Sequence, residues 1–270
     1  MFRRRTGVPA GGTEVGRAVA ALELDGVGRE YRKGVRALDE VTLRVPAGRL
    51  VAVMGRSGSG KSTLLQCAAG LDRPTSGTVR IGGQDLARLD EAGLTRLRRD
   101  RVGFVFQALN LVPSLSVLEN VSLPLLLAGG AGDAEREERA RAALAAVGLA
   151  DRGGDAPARL SGGQQQRVAI ARALVTAPAV VFADEPTAAL DPVTADTVLA
   201  LLRSAVDEQR RTVVMVTHDP SAAQWADEAV FLEQGRVAGR LPEPDAAHVR
   251  DVLRELAGLP RAAGVVGGRS

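Results

Sequence analysis

Residues 55–62, GRSGSGKS, combine glycines, a lysine and a hydroxyl side chain at a spacing suited to binding phosphate. Glycines let the backbone curl so that successive N–H groups point at phosphate oxygens. The lysine can contact the β- and γ-phosphates of a nucleotide, and the hydroxyl can ligate Mg²⁺. An apolar run precedes the stretch and a helical pattern follows it, as the motif G-x-x-x-x-G-K-[ST] requires. The residues predicted to bind the nucleotide are Gly55, Arg56, Ser57, Gly58, Ser59, Gly60, Lys61, Ser62 and Thr63. The alternative is a glycine-rich turn that only joins a strand to a helix.

Two adjacent carboxylates, Asp184 and Glu185, end the apolar stretch VVFADEP at 180–186. Doubly wound sheets bind ligands at the carboxyl ends of their strands, so we expect both side chains at such an edge. An Asp there can hold Mg²⁺, directly or through water. The neighbouring Glu can orient an attacking water or accept its proton. A solvated turn or a helix N-cap is the other interpretation of this pair.

A third motif, LSGGQ at 160–164, places a serine and two glycines at the predicted start of a helix. Free N–H groups and the helix dipole make such a helix end a second candidate anion site. Its predicted contact residues are Ser161, Gly162, Gly163 and Gln164. The simpler interpretation is that Ser161 only caps the helix.

Alternating strand and helix patterns surround these motifs. Short apolar runs at 21–53 and 78–83, separated by Gly and Pro turns, predict strands. The runs at 180–183 and 212–217 are apolar on both faces, which suits a parallel sheet covered by helices on both sides. Helical periodicity is found at 133–147, after residue 161, at 193–209 and at 245–257. We therefore predict an α/β fold: a P-loop NTPase core with a mainly parallel sheet, an antiparallel β subdomain and a helical subdomain at about 105–165.

Composition narrows the function classes further. The 270 residues carry a formal net charge of +3 and contain one Trp, one Tyr and five Phe, which argues against nucleic-acid binding. A single cysteine, Cys67, excludes a disulfide framework within the chain and suits a reducing compartment. No apolar run approaches the roughly 18 residues that a membrane span needs. We expect 1–20 to be a disordered basic tail and 241–270 to hold a C-terminal helix and a flexible tail.

The order of the motifs resembles the ATP-binding subunit of ABC transporters over about 21–240. GRSGSGKS and VVFADEP match the Walker A and Walker B motifs of that family, and LSGGQ matches its signature. By the same resemblance, Gln107 in FVFQ is the Q-loop residue that contacts Mg²⁺ or water, and His218 in VTHD is the catalytic switch histidine. Asp191 matches the D-loop. Tyr31, 24 residues before Gly55, matches the aromatic residue that stacks on adenine.

Each of these added residues also has a simpler interpretation. Tyr31 can be an ordinary strand aromatic, Gln107 a loop amide and His218 a satisfied core histidine. One position departs from the family pattern, because Ala189 stands where the family often has Ser or Gly. The lost hydroxyl would weaken communication across a dimer.

The resemblance implies an MgATP-hydrolysing subunit that pairs head-to-tail with a second ATP-binding subunit, here as a homodimer. ATP would lie between the Walker A loop of one subunit and the LSGGQ of the other. An integral membrane permease subunit is the other expected partner, docked on the helical segment just after Gln107, within 109–127. We therefore expect a peripheral protein on the cytoplasmic face of the plasma membrane.

Within the family, FVFQALNLVPSLSVLENVSLPLLLAG and ADEPT are similar to the group that drives lipoprotein release and macrolide export. An importer subunit of the amino-acid type is the first alternative. A soluble ABC ATPase unconnected to transport is the second, although no long coiled-coil insert separates Lys61 from Ser161 and only one Walker A motif is present.

Overall fold

Two sheets and the helices around them organise the chain, in a computed structural model that describes residues 20–32 and 34–259. The strands are β1 (Ala20–Tyr31), β2 (Val35–Pro46), β3 (Leu50–Met54), β4 (Ser76–Ile81), β5 (Gln84–Asp85), β6 (Val102–Val105), β7 (Val180–Asp184), β8 (Val213–Val216), β9 (Glu228–Glu233) and β10 (Arg236–Pro242). The helices are α1 (Lys61–Ala68), α2 (Glu91–Arg101), α3 (Val117–Ala128), α4 (Asp133–Ala146), α5 (Gly162–Leu174), α6 (Pro192–Asp207), α7 (Pro220–Ala223) and α8 (Ala246–Leu256). Short 3-10 turns lie at Leu86–Arg88, Ala150–Arg152 and Pro157–Arg159.

The larger sheet has six strands in the order β10-β9-β3-β8-β7-β6. All neighbouring pairs are parallel except β10 with β9, which is antiparallel. Strand β3 is buried along its whole length, and its alternate residues enter two different cores. Leu50 and Met54 face one core with α5 and α6, whereas Val51 and Val53 face the other with α1. Other elements cover both faces of this sheet, so its strands can be apolar on both sides and need not alternate with polar residues. This agrees with the sequence-based prediction of a covered parallel sheet.

The smaller sheet is antiparallel, in the order β2-β1-β4-β5. Its apolar residues belong to the same core as α1, so this sheet covers one face of the larger one. The predicted antiparallel element is therefore confirmed, and it brings the β1–β2 hairpin beside the start of α1. That position matters because the loop before α1 carries the predicted phosphate site.

Helices α3 and α4 and the start of α5 fall in the predicted helical region 105–165, and α5 continues to Leu174. The expectation of a helix directly after Gln107 is wrong, since the chain forms no helix between 106 and 116. Leu109 and Asn110 have left-handed backbone angles, with φ of 60° and 49°. Pro113 also disfavours helical angles at the residue before it. The first residue of α3 is Val117.

The C-terminal part of the described chain holds one more helix. The predicted helix at 245–257 is present as α8, whose Val249 is fully buried. Of the predicted disordered tail at 1–20, only Ala20 is described, and it begins β1, whereas 1–19 lie outside the described residues. The residues from 260 onward, where the flexible C-terminal tail is predicted, also lie outside them. Among the helices that the structure describes, none combines the length and the apolar character needed to cross a bilayer.

Candidate nucleotide-binding and catalytic site

The loop between β3 and α1 depends on glycine at two positions. Gly55 and Gly60 have φ values of 152° and 105°, which other residues rarely adopt. A Cβ atom at Gly55 would lie 2.3 Å from the carbonyl oxygen of Leu232, and one at Gly60 would lie 2.5 Å from that of Ala37. Any side chain would therefore push the loop away from β9 or β2. The two glycines therefore let the loop stay curled against β2 and β9.

Lys61 begins α1 and lies over this loop. Its Nζ donates hydrogen bonds to the carbonyl oxygens of Gly55 and Arg56, at 2.7 and 2.9 Å. Burial lowers the pKa of Lys61, while the nearby carboxylates of Glu185 and Asp184 act in the opposite direction. The helix starts from Gly60 without a side-chain cap, so its first N–H groups remain available to an anion.

One further atom of the loop has unmet hydrogen-bonding capacity. The hydroxyl of Ser59 is buried and has no hydrogen-bond partner within the described part of the chain. A buried polar atom without a partner is costly and usually marks a site completed by something else. This observation fits a loop built around a bound group.

An open cleft of ≈ 610 Å³ joins the loop to the carboxyl ends of β7 and β8. It contains Lys61 and Ser62 from the start of α1, Asp184 and Glu185 from the end of β7, and Gln107 from the loop after β6. The other residues that line it are Ala37, Gly55, Arg56, Ser57, Gly58, Gly60, Thr63, Val216 and His218. Residues far apart in sequence meet here because parallel strands end at the same edge of the sheet.

Glu185 and His218 are in direct contact at this edge. His218 Nδ1 lies 2.8 Å from Glu185 Oε1, which is hydrogen-bond distance. The Glu185 side chain is 16% exposed and that of His218 is 67% exposed, so the carboxylate is shielded and the imidazole faces the cleft opening. Glu185 also has a left-handed backbone with φ of 48°, and its N–H donates to the carbonyl oxygen of Val216. Backbone strain of this kind is frequent at functional sites.

The surroundings of Asp184 disfavour the ionised form of its carboxyl group. Burial raises its pKa, the adjacent Glu185 raises it further, and Lys61 partly offsets both effects. A divalent cation would relieve this repulsion. The oxygen donors at the cleft, from the side chains of Ser62, Gln107 and Asp184, are of the hard type that Mg²⁺ prefers.

The LSGGQ and D-loop residues are not among those that line this cleft in the described structure. Ser161 caps α5 in a capping box with Gln164, and Asp191 caps α6 through the N–H groups of Val193 and Thr194. The two helix starts touch, because a Cβ atom at Gly163 would lie 2.2 Å from Cγ2 of Thr194. Ser161 therefore does cap α5, and this helix start does not line the cleft of its own chain in the described structure.

Tyr31 also lies outside the set of residues that line the cleft. It sits at the end of β1, opposite Val35 and two residues along β2 from the cleft residue Ala37. Sequence reasoning missed Ala37, since a lone alanine in a strand carries no chemical signal. It lines the cleft only because the β1–β2 hairpin packs against the start of α1.

Comparisons with known proteins agree with this geometry. A family model described as ABC transporter matches residues 38–188. A lipoprotein-releasing system ATP-binding protein from Chromohalobacter salexigens is 48% identical over 220 residues, which cover 80% of this chain and 92% of that protein. A macrolide export ATP-binding/permease protein from Yersinia pestis bv. Antiqua is 46% identical over 221 residues, covering 81% of this chain. The chain spans about a third of the length of such macrolide export relatives, 34% in this case.

Solved structures of ABC cassettes resemble this chain over most of its length. The ATP-binding cassette MJ0796, in a dimeric post-hydrolysis state bound to ADP and Pi, has a TM-score of 0.76 and 42% identity. That match covers 82% of this chain and 98% of the other. The protein cbiO1 of Clostridium perfringens, part of an ABC transporter complex, has a TM-score of 0.77 and 30% identity, covering 88% and 94% of the two chains. The predicted fold is confirmed. The family model and the relatives together establish that the chain belongs to the ABC transporter family, as an ATP-binding cassette.

Proposed function

We propose that this chain binds and hydrolyses ATP and thereby powers the export or extraction of a substrate through a separate membrane subunit. The observation that carries the proposal is the meeting of Lys61, Glu185 and His218 in one cleft. A loop that binds phosphate, a shielded carboxylate and an imidazole in contact with it are the groups that hydrolysis of a phosphoanhydride needs.

Separate residues of the cleft bind the triphosphate, activate the water and position the base. The loop N–H groups and Lys61 bind the triphosphate, with Lys61 exchanging its bonds to the Gly55 and Arg56 carbonyls for bonds to phosphate oxygens. Glu185 accepts a proton from the water that attacks the γ-phosphorus, and the bond to the β-γ bridging oxygen breaks to leave ADP. His218 holds the Glu185 carboxylate in place through their 2.8 Å contact.

Mg²⁺ fits the donor set at the cleft, and it would be held by Ser62, Asp184 and Gln107. When bound, it neutralises charge on the β- and γ-phosphate oxygens. The unfavourable ionisation of Asp184 supports this assignment, because a nearby cation is the simplest way to stabilise a half-buried carboxylate beside a second one.

The site is proposed to be completed by a second copy of the chain. Ser161, Gly162, Gly163 and Gln164 would contact the ATP held by the partner, and Asp191 would lie at the same interface. Support comes from the position of the α5 N-terminus, whose residues do not line the cleft of their own chain in the described structure. The dimeric state of MJ0796 bound to ADP and Pi is consistent with such pairing.

A membrane subunit is proposed to dock in the groove between α2, α3 and α5, which we call the docking groove. Its walls are mainly apolar, and Leu127 on its rim is 64% exposed. The lining residues are Arg98, Arg99, Val102, Gly103, Phe104, Phe106, Asn110, Leu123, Pro124, Leu127, Arg172, Ala173 and Thr176. We propose a cytoplasmic helix of that subunit as the occupant, which would place this chain at the cytoplasmic face of the membrane. Phe106 and Asn110 line the groove, and Gln107, which lies between them in sequence, lines the cleft. A movement of Gln107 would therefore also displace residues of the groove.

The names of the relatives favour export or extraction over import. Those with 45–48% identity include a lipoprotein-releasing ATP-binding protein and macrolide export proteins. An importer subunit of the amino-acid type remains the alternative. Reconstitution with the membrane partner, with transport followed in both directions, decides between them.

The decisive test of hydrolysis is Glu185→Gln. The amide keeps the shape of the side chain but cannot accept the water's proton, so ATP binding should persist while turnover falls by roughly 10²–10⁴-fold. The variant should accumulate as an ATP-bound dimer in size-exclusion chromatography. The matched control is Glu138→Gln, the same change at an exposed position of α4, which should hydrolyse ATP normally. If Glu185→Gln hydrolyses ATP at the wild-type rate, Glu185 is not the base that accepts the proton of the attacking water.

A further inference from the structure

Tyr31, the one tyrosine of the chain, is held by two other side chains. The guanidinium of Arg29 lies over its ring, 4.6 Å from the ring centroid. The Tyr31 hydroxyl donates a hydrogen bond to Oδ2 of Asp72 at 3.1 Å. One face of the ring is therefore covered by a cation, and its polar end is fixed at the same time.

Arg29 and Asp72 also bind each other. The Nε atom of Arg29 donates to Oδ2 of Asp72 at 2.8 Å, and a terminal nitrogen lies 2.8 Å from Oδ1. Their side chains are only 22% and 23% exposed. A two-point contact between a planar guanidinium and a carboxylate fixes orientation as well as distance. The three side chains form a closed triangle, which we call the Tyr31 triad.

The triad is tied to the phosphate loop through α1. That helix begins at Lys61, and just beyond its end the N–H of Asp72 donates to the carbonyl oxygen of Gln66. Thr75 ties the same segment to β1, because its N–H and its hydroxyl both donate to the carbonyl oxygen of Gly28. The Thr75 hydroxyl also accepts a bond from the N–H of Glu30. The place of Tyr31 is thus set relative to the residues that bind phosphate.

We infer that Asp72 and Arg29 are positioning residues that fix the ring of Tyr31 as the platform for the nucleobase. The inference rests on the proposed nucleotide-binding function. Arg29 occupies one face of the ring, so the base stacks on the opposite face. Because the side chain is ordered before the nucleotide arrives, little rotamer entropy is lost on binding. A cation on the far face also withdraws charge from the ring, which adjusts its attraction for the base.

The test compares a ligand that has a base with one that has none. Binding of MgATP and of magnesium tripolyphosphate is measured by calorimetry for the wild type, Tyr31→Ala and Asp72→Ala. Base–aromatic stacking is worth roughly 1–3 kcal/mol, so both variants should bind ATP on the order of tenfold more weakly. Tripolyphosphate binding should stay at the wild-type level. Glu91→Ala is the matched control, since it breaks the neighbouring exposed ion pair with Arg73 and should leave both affinities unchanged.

A spectroscopic measurement separates positioning from a general effect on folding. With ring-labelled tyrosine, the protein gives the NMR signals of Tyr31 alone. These signals should shift on addition of ATP but not of tripolyphosphate, and in Asp72→Ala the ring should show the averaged environment of a mobile side chain. If Asp72→Ala fails to fold, Tyr31→Phe removes only the hydrogen bond to Asp72 and keeps the ring. About fivefold weaker ATP binding is expected there, since a net hydrogen bond is worth around 1 kcal/mol.

The outcomes distinguish the inference from the function on which it rests. One outcome is weaker ATP binding by Tyr31→Ala together with wild-type ATP binding by Asp72→Ala. It overturns the inference but leaves the stacking role of Tyr31 intact. If Asp72→Ala does not fold, wild-type ATP binding by Tyr31→Phe has the same meaning. Loss of tripolyphosphate binding in Asp72→Ala also overturns it, because Asp72 would then act on the phosphate loop. If Tyr31→Ala binds ATP as the wild type does, the nucleobase does not stack on Tyr31, and the inference is wrong as well.

Discussion

At the scale of single residues, the cleft concentrates charges that do not favour folding. Asp184 is half-buried beside Glu185, and burial followed by this repulsion raises its pKa above the ordinary value of 3.8, although Lys61 counteracts both. The folded protein therefore holds a proton on Asp184 to higher pH than the unfolded chain does. Its contribution to the free energy of unfolding falls as the pH rises from 3.8 through the raised pKa.

We therefore expect Asp184→Asn to stabilise the nucleotide-free protein at pH 7 while impairing hydrolysis. A gain of about 1 kcal/mol would raise Tm by roughly 2–4 °C in a chain of this size. Thermal melts at several pH values measure it, and the advantage should shrink as the pH approaches 3.8, where the wild-type carboxyl is protonated in both states. Asp196→Asn, at an exposed position of α6, is the control. An Asp184→Asn protein that melts below the wild type at pH 7 would contradict this account.

At the scale of elements, the loop 106–116 is positioned by side chains from two helices. Asn120 of α3 is fully buried; its Oδ1 accepts from the N–H of Val112, and its Nδ2 lies within hydrogen-bond distance of the carbonyl oxygens of Val112, Leu115 and Ser116. Arg172 of α5 donates to the carbonyl oxygens of Leu109 and Asn110. Burial lowers the pKa of Arg172. Helix α5, which begins at LSGGQ, is thus bonded directly to the loop that carries Gln107.

Asn120→Ala should destabilise the protein by roughly 2–3 kcal/mol, because buried backbone groups of this loop would lose their partners. Urea unfolding gives the change in the free energy of unfolding. Ser122→Ala is the control on the same helix, since its hydroxyl contacts only the carbonyl oxygen of Glu119 among the described hydrogen bonds. Equal unfolding free energies for Asn120→Ala and the wild type would show that the loop does not depend on this amide.

At the scale of the whole molecule, each proposed ATP site combines the cleft of one chain, which contains Lys61, with Ser161 of a second copy. We therefore expect two inactive variants to complement each other within a dimer. Lys61→Ala should abolish phosphate binding in its own cleft, and Ser161→Ala should abolish the contribution to the partner's cleft. A mixed dimer then has one intact site and one doubly altered site, so ATPase activity should return when the two inactive proteins are mixed. Exchange of subunits is verified with two affinity tags. Demonstrated mixed dimers without recovered activity would favour a site within one chain or strict two-site cooperativity.

The docking groove makes a second prediction at this scale. Single cysteines at Leu123 and Leu127, in a Cys67→Ser background, should cross-link to a multi-spanning membrane protein in the native host. A cysteine at Ala142, exposed on α4, is the control and should not capture that protein. Capture of only soluble proteins or nucleic acid from the groove positions would replace the transporter proposal with the soluble-ATPase alternative.

The sequence by itself determined the phosphate loop, the carboxylates after β7 and the capped start of α5. Each is a contiguous stretch whose backbone geometry follows from local residue types, such as the left-handed glycines of 55–60. Two strands apolar on both faces likewise determined a covered parallel sheet. Local rules were sufficient for these features because their physical causes lie within a few residues of one another.

Only the tertiary structure decided which distant side chains meet. Glu185 contacts His218 across 33 residues, and Tyr31 contacts Asp72 across 41, because of how the strands are ordered and how the hairpin packs beside α1. The loop after Gln107, predicted to be helical, is held open by Arg172, 62 and 63 residues away from the two carbonyls it binds. Such contacts depend on the summed packing of two cores, and no pattern of neighbouring residues encodes them.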